Sequence, residues 1–239
     1  MHRSVNWLTT TPIAHRGLWG GSVQENSISA YQRAVELGYA VEVDVYQTTD
    51  GSLVCFHDKN LKRMCGIDKP IFECDLATIK GLRLNGSASL IPTLSELLET
   101  VGGKVPLLIE LKDQPAKDYV ERVVNELKGY KGAFAVQSFN PLYINKVRKL
   151  APHFTRGILG TANASGEKFY VRYIVKNLSL NFLIKPHFIS YEYTALPLPK
   201  HKKRRLPVLA WTVTSQQDFD KIKDFCDNII FENFTPKID

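Results

Sequence analysis

The chain has 239 residues, of which 44% are hydrophobic and 23% charged, and its formal net charge is +7. That length suits one large core, as in a single α/β barrel, and is long for one sandwich, while the ordinary composition excludes a disordered or fibrous chain. No apolar run reaches the roughly 18 residues a transmembrane helix needs, and Met1 to Thr11 lacks the apolar centre of a secretory signal, so the expected compartment is the cytoplasm.

The elements alternate along the chain. A first strand is predicted over Pro12 to His15 and a helix over Ser27 to Leu37, with Asn26 or Ser27 as its N-cap and Gly38 as its stop. Strands follow over Ala40 to Tyr46 and Leu53 to His57, separated by Thr48-Thr49-Asp50-Gly51-Ser52. Asp-Gly marks a tight turn. So short a link joins antiparallel strands, because a parallel crossover needs about a dozen residues or more. The stretch from Lys59 to Ser89 is irregular and reads as an insertion of loops and short helices beside His57.

Beyond it, helices are predicted over Thr93 to Val101, Ala116 to Leu127, Pro141 to Leu150 and Gln216 to Phe225. The remaining strands are Pro106 to Leu111, Ala133 to Phe139, Thr155 to Leu159, Phe188 to Tyr193, Pro207 to Val213 and Asn228 to Glu232. Alternating strands and helices imply βα units and a mainly parallel sheet. With Leu53 to His57 set aside as the return arm of a hairpin, the other eight strands can close a TIM-like (β/α)8 barrel, a single domain over residues 1–239.

Charge and cysteine add little. The run His201-Lys202-Lys203-Arg204-Arg205 reads as a solvated loop or helix face, although a patch for nucleic acid or anionic lipid would have the same composition. Cys55, Cys65, Cys74 and Cys226 form no C-x-x-C pair and no zinc-type spacing, and are expected to be reduced thiols.

The chemistry concentrates in Val41-Glu42-Val43-Asp44-Val45. Side chains alternate along a strand, so Glu42 and Asp44 share one face and the valines the other. In a barrel the valines pack under the helices and the acids face inward, near the strand's C-terminal end, where TIM-barrel sites lie. Two buried carboxylates side by side need a proton or a cation between them. Oxygen-only ligands favour Mg²⁺ or Ca²⁺ over Zn²⁺. Glu110 and Lys112 repeat the pattern on a second strand, either as a third ligand with a phosphate-binding lysine or as an ordinary structural pair. His15, Arg16 and Gly17 end the first strand, and His57 ends the hairpin strand. Two histidines near an acid cluster suit proton transfer in phosphodiester cleavage, and Arg16 suits a phosphate grip.

These segments resemble the glycerophosphodiester phosphodiesterase family. The ordered matches are His15-Arg16-Gly17, Glu25-Asn26-Ser27, Glu42-Val43-Asp44-Val45, Thr49-Asp50-Gly51, His57-Asp58, Leu61 with Arg63, Ile91-Pro92-Thr93-Leu94, Glu110-Leu111-Lys112, Gln137-Ser138-Phe139 and Trp211-Thr212-Val213. The resemblance implies a TIM-like barrel that hydrolyses glycerophosphodiesters to sn-glycerol 3-phosphate and an alcohol. It implies a divalent cation on Glu42, Asp44 and Glu110, His15 and His57 as general acid and base, Arg16 and Lys112 on the phosphate, Trp211 in the pocket, and Glu25 and Asn26 in support. The chain departs from the family pattern at Gln24, at Thr214 and at Glu232-Asn233. Its partner would be a small-molecule glycerophosphodiester, with no nucleic acid expected. Two other readings use the same residues: a phospholipase D-like lipid enzyme docking through residues 201–205, and a non-catalytic phosphate- or partner-binding barrel.

Overall fold

A computed structural model describes residues 5–162, 173, 176–199 and 206–237. The basic run His201 to Arg205 lies outside the described residues.

Nine strands occur among the described residues: β1 (Ile13–Ala14), β2 (Ala40–Gln47), β3 (Leu53–Cys55), β4 (Leu107–Leu111), β5 (Phe134–Ser138), β6 (Arg156–Gly160), β7 (Phe188–Glu192), β8 (Val208–Val213) and β9 (Asn228–Phe231). They run in the order β1-β9-β8-β7-β6-β5-β4-β2-β3, and an additional β1–β2 pairing closes the ring. The eight barrel strands pair in parallel. The predicted hairpin is present: β3 pairs antiparallel with β2, Val45 opposite Cys55 and Gln47 opposite Leu53. Its turn is closed by Thr48 N donating to Ser52 O at 2.9 Å, with Gly51 at φ +86°. A left-handed φ there favours glycine.

The helices lie close to their predicted spans, and their starts have chemical causes. Ser27, not Asn26, caps the helix Ile28–Glu36, its side chain accepting from Ala30 N. Thr93 and Glu96 form a reciprocal capping box on Leu94–Val101. Tyr119–Lys128 starts three residues later than predicted, and Pro141–Leu150 carries its proline in the first turn. Short helical turns that were not predicted include Trp7–Thr10, Asn181–Ile184 and the 3₁₀ turn Tyr193–Ala195, each too short to show periodicity. Among the described residues, no helix is long and apolar enough to cross a membrane.

The principal core lies between the barrel and its helices. Val41, Val43 and Val45 pack there with Leu94, Leu97, Tyr119 and Val123, as the alternation of β2 requires. The insertion after β3 has a core of its own, in which Tyr46, Val54 and Phe56 pack on Leu61, Met64, Ile71 and Ile79. Inside the barrel, Ile13, Ala40, Leu108, Ala135, Phe188, Leu209 and Ile230 form an apolar floor with Trp7 and Leu8. A methyl group on Gly157 would meet the Phe188 ring at 2.2 Å, so that glycine makes room for the largest side chain that the strands contribute to the floor. Two residues further along the strands the inward side chains are Glu42, Glu110, Gln137 and Ser190, all buried. None of the four cysteines, all among the described residues, forms a disulfide.

Candidate active site

The site stands on that polar layer. Asp44 and Glu110 are direct cross-strand neighbours in the β2–β4 register. Glu42, Asp44 and Glu110 are buried, and each offers a carboxylate oxygen within 4.8 Å of the others. Such packing of like charges is costly without compensation. Some of it comes from Lys112, whose Nζ lies 2.9 Å from Glu110 Oε1 and 3.2 Å from Asp44 Oδ1. Burial disfavours charge on Asp44, but Lys112 and the neighbouring His57, Arg16 and His15 hold its carboxyl well below the usual range. Burial opposes the Lys112 charge too, yet Asp44 and Glu110 push its ammonium above its ordinary value. Glu42 goes the other way: burial, then the charges of Asp44 and Glu110, raise it well above an ordinary glutamate. The three carboxyl groups face Lys112 and an Arg16 that is shared with Glu25, and they offer oxygen donors only, which a divalent hard cation fits.

The segment after β1 folds over these acids. His15 lies one residue beyond Ala14, the end of β1, and His57 two residues beyond Cys55, the end of β3, so neither stands within its strand as predicted. Arg16 has φ +58° and Gly17 φ +77°. A side chain on Gly17 would also meet the Ala30 backbone at 2.9 Å, so glycine is required twice over. This turn aims Arg16 N at Glu42 Oε2, 2.9 Å away. Arg16 Nη1 donates to Glu25 Oε1 at 2.8 Å. Asn26, also at positive φ, donates from Nδ2 to Asp44 Oδ2 at 3.0 Å and accepts from the Tyr31 hydroxyl at 3.1 Å. Asn26 thus holds an acid of the trio rather than a helix end.

Both histidines are held by carboxylates. His15 Nδ1 lies 2.6 Å from Glu232 Oε2, and His57 Nδ1 lies 2.7 Å from Asp58 Oδ1. An ionised carboxylate only accepts, so each Nδ1 carries a proton and each Nε2 remains for chemistry. Asp58 is gripped in turn by Arg63, Nε to Oδ2 at 2.6 Å and Nη2 to Oδ1 at 3.0 Å. Arg63 also binds Glu25 from Nη2 at 2.6 Å. A continuous polar chain therefore runs His57–Asp58–Arg63–Glu25–Arg16. Burial would raise Glu25, but hydrogen bonds and charge from Arg63 and Arg16 hold it lower. Hydrogen bonds to Glu25 and Asp58 raise the Arg63 guanidinium.

Glu232, Asp58 and Arg63 are the residues that sequence reasoning left out of the site. The signal for Glu232 was barrel closure: β1 pairs with β9, Ala14 opposite Phe231, which sets residue 15 beside residue 232. Of the predicted residues, His15, Arg16, Glu42, His57, Glu110, Lys112 and Trp211 line one cavity of about 100 Å³, together with Gln137 and Phe139, whereas Asp44, Glu25 and Asn26 are not part of its lining. Phe139 and Trp211 pack edge to face at 5.5 Å. The pairing of β8 with β9 shifts register between Ala210 and Val213, where Trp211 sits. Two buried donors, Arg16 Nε and Trp211 Nε1, have no hydrogen-bond partner among the described residues. Buried donors without a hydrogen bond at a cavity wall suit an acceptor-rich ligand.

Fold and site together define a TIM-like barrel protein with a buried acid trio, two carboxylate-held histidines and basic side chains at one mouth. The chain belongs to the glycerophosphoryl diester phosphodiesterase family, whose profile it matches over residues 15–234. A glycerophosphodiester phosphodiesterase of Caldanaerobacter subterraneus subsp. tengcongensis is 30% identical over 244 residues, covering 95% of each chain. A glycerophosphodiester phosphodiesterase structure from Parabacteroides distasonis superposes with a TM-score of 0.75 at 27% identity, over 92% of both chains. The barrel also matches an Oleispira antarctica phosphodiesterase solved in complex with the product sn-glycerol-3-phosphate, with a TM-score of 0.77 at 24% identity over 93% of this chain and 92% of that one. A human lysophospholipase D is 33% identical over 113 residues, 42% of this chain and 35% of that one.

Proposed function

We propose that this chain, acting as one domain, hydrolyses glycerophosphodiesters to sn-glycerol 3-phosphate and an alcohol. The observation that carries the reading is the buried trio Glu42, Asp44 and Glu110 beside two histidines whose Nδ1 atoms are each held by a carboxylate. Glu42, Asp44 and Glu110 hold a divalent cation, Mg²⁺ or Ca²⁺. When bound, it neutralises charge on the phosphoryl oxygens.

The chain's own residues supply the rest. Arg16 and Lys112 bind the phosphate, Arg16 through an Nε that makes no hydrogen bond in the protein itself, although Asp44 Oδ2 lies 3.7 Å from it. Trp211, which lines the same cavity as Glu42 and Glu110, lies against the glycerol. His15 and His57 divide the proton work through Nε2: one accepts the proton of the nucleophile, water or the glycerol 2-hydroxyl, and the other protonates the departing alkoxide. Glu232 and Asp58 fix the tautomer of each ring. Glu25 and Asn26 support from behind, by locking Arg16 and Asp44.

The test is release of glycerol 3-phosphate from a panel of glycerophosphodiesters, with chelator and with Ca²⁺, Mg²⁺ or Mn²⁺ added back. Chelator-sensitive release supports the reading. Release that ignores chelator overturns the cation's part. Binding of glycerol 3-phosphate without turnover supports the non-catalytic alternative. The partial likeness to a lysophospholipase D keeps a second substrate class in view. Faster cleavage of lysophospholipid than of glycerophosphodiester would favour it.

A further inference from the structure

A second, wider groove adjoins the small cavity. It has a volume of about 800 Å³ and shares His57 and Lys112 with the site. Its other charged lining consists of Asp58, Lys59, Lys62 and Arg63, contributed by the chain just after β3. The groove therefore opens beside His57 and Lys112, while the aromatic pair Phe139 and Trp211 lines the small cavity and not the groove.

The charges of the groove do not cancel. Its lone acid, Asp58, is already held by His57 and by two nitrogens of Arg63. Arg63 divides itself between Asp58 and Glu25. Lys62 makes an exposed pair with Asp68 at 3.1 Å, of the kind that contributes little and exchanges with solvent. Lys59 has no carboxylate within ion-pair distance among the described residues. Its Nζ lies 5.6 Å from the centre of the Phe72 ring, which positions the ammonium without neutralising it. Arg63 and Lys112 are held by acids of the site, and Glu25 and Asp68 lie outside the groove lining, so the charge that a molecule in the groove meets is chiefly that of Lys59 and Lys62, against a single, already engaged carboxylate.

We infer that this groove is the leaving-alcohol subsite and that Lys59, with Lys62, selects alcohols bearing a second anionic group. The inference rests on the hydrolase reading above. In that reaction the oxygen of water becomes bonded to phosphorus, the bond from phosphorus to the alcohol oxygen breaks, and the alcohol leaves with a proton. A carboxylate or phosphate on that alcohol would lie against Lys59, whereas the trimethylammonium of choline would face like charge. Discrimination of this kind resides in k cat/KM and weakens with salt.

The experiment compares four glycerophosphodiesters by glycerol 3-phosphate release with divalent cation present. Their alcohols are 3-hydroxypropanoate, 3-hydroxypropyl phosphate, 1,3-propanediol and choline. The expected order is anionic above neutral above choline, with the carboxylate and phosphate arms showing which anion fits better. Lys59→Gln should lower the anionic-to-choline ratio by about two- to fivefold, the scale of one partly screened charge. Lys59→Glu should lower it further, while both variants keep the wild-type rate on the propanediol ester. High salt should compress the wild-type ratio. Equal or greater turnover of the choline ester by the wild type, or a ratio unmoved by Lys59→Gln, would overturn the inference and leave the hydrolase reading standing. No release from any ester would overturn the hydrolase reading and the inference with it.

Discussion

The floor and the mouth of the barrel are built from the same strands, two residues apart, and they solve opposite problems. The floor residues Ala40, Leu108, Phe188 and Leu209 are fully buried and apolar, and their burial stabilises the fold. The next inward side chains of three of those strands are Glu42, Glu110 and Ser190, with Gln137 and Asp44 beside them. Burying three carboxylates in one layer costs stability, and Lys112, Arg16 and Asn26 offset only part of it. The lesson is local. One strand carries a residue that holds the barrel together and, one pleat later, a residue the barrel tolerates for what it can bind.

The comparison can be broken or sharpened by substitution. The largest rate effect should come from the mouth: His15→Ala or His57→Ala should lower turnover of a glycerophosphodiester by about 10²–10⁴, the scale of general acid–base catalysis, with little change in melting temperature. Glu232→Gln should cost less, about 10- to 100-fold, because it removes one charge-assisted hydrogen bond that orients His15. Its loss should fall on kcat, and Glu232→Asp should recover part of it. The floor should answer in the opposite currency. Phe188→Ala should cost about 3–5 kcal/mol in denaturant melts, for a large side chain removed from a filled interior. Glu42→Gln should leave stability in chelator unchanged or raise it by about 1–2 kcal/mol, because it relieves like charge, while abolishing the response to cation. Smallest of all, Thr93→Ala should cost about 1 kcal/mol through loss of a helix cap, and leave the rate unchanged.

Much of this contrast was legible in the residues. Alternation put Glu42 and Asp44 on one face and the valines on the other, and the barrel assignment made the acids' face the inward one. The Asp50-Gly51 turn identified the hairpin and so reduced nine strands to eight. The irregular stretch 59–89 was rightly read as an insertion, and its own small core follows from its scattered Leu61, Met64, Ile71 and Ile79. What stayed hidden were contacts made across large separations. His15 and Glu232 are 217 residues apart and meet only because β1 and β9 close the ring. Glu232 stood out in the sequence as a departure from the family pattern, yet it brings a carboxylate to His15. Asn26 was read as a possible cap because its type suits one; its side chain goes to Asp44 because the left-handed turns at Arg16 and Asn26 redirect it.

The central claim is that Glu42, Asp44 and Glu110 are kept together to hold a divalent cation. Thermal melts with increasing Ca²⁺, Mg²⁺ or Mn²⁺ test it without reference to any substrate, since a ligand that binds only the folded chain raises its melting temperature. The wild type should show a saturable rise reversed by chelator, and Glu42→Gln and Glu110→Gln should each lose it. A rise of equal size in the wild type and in both variants, or none in the wild type with any of the three ions, would contradict the claim.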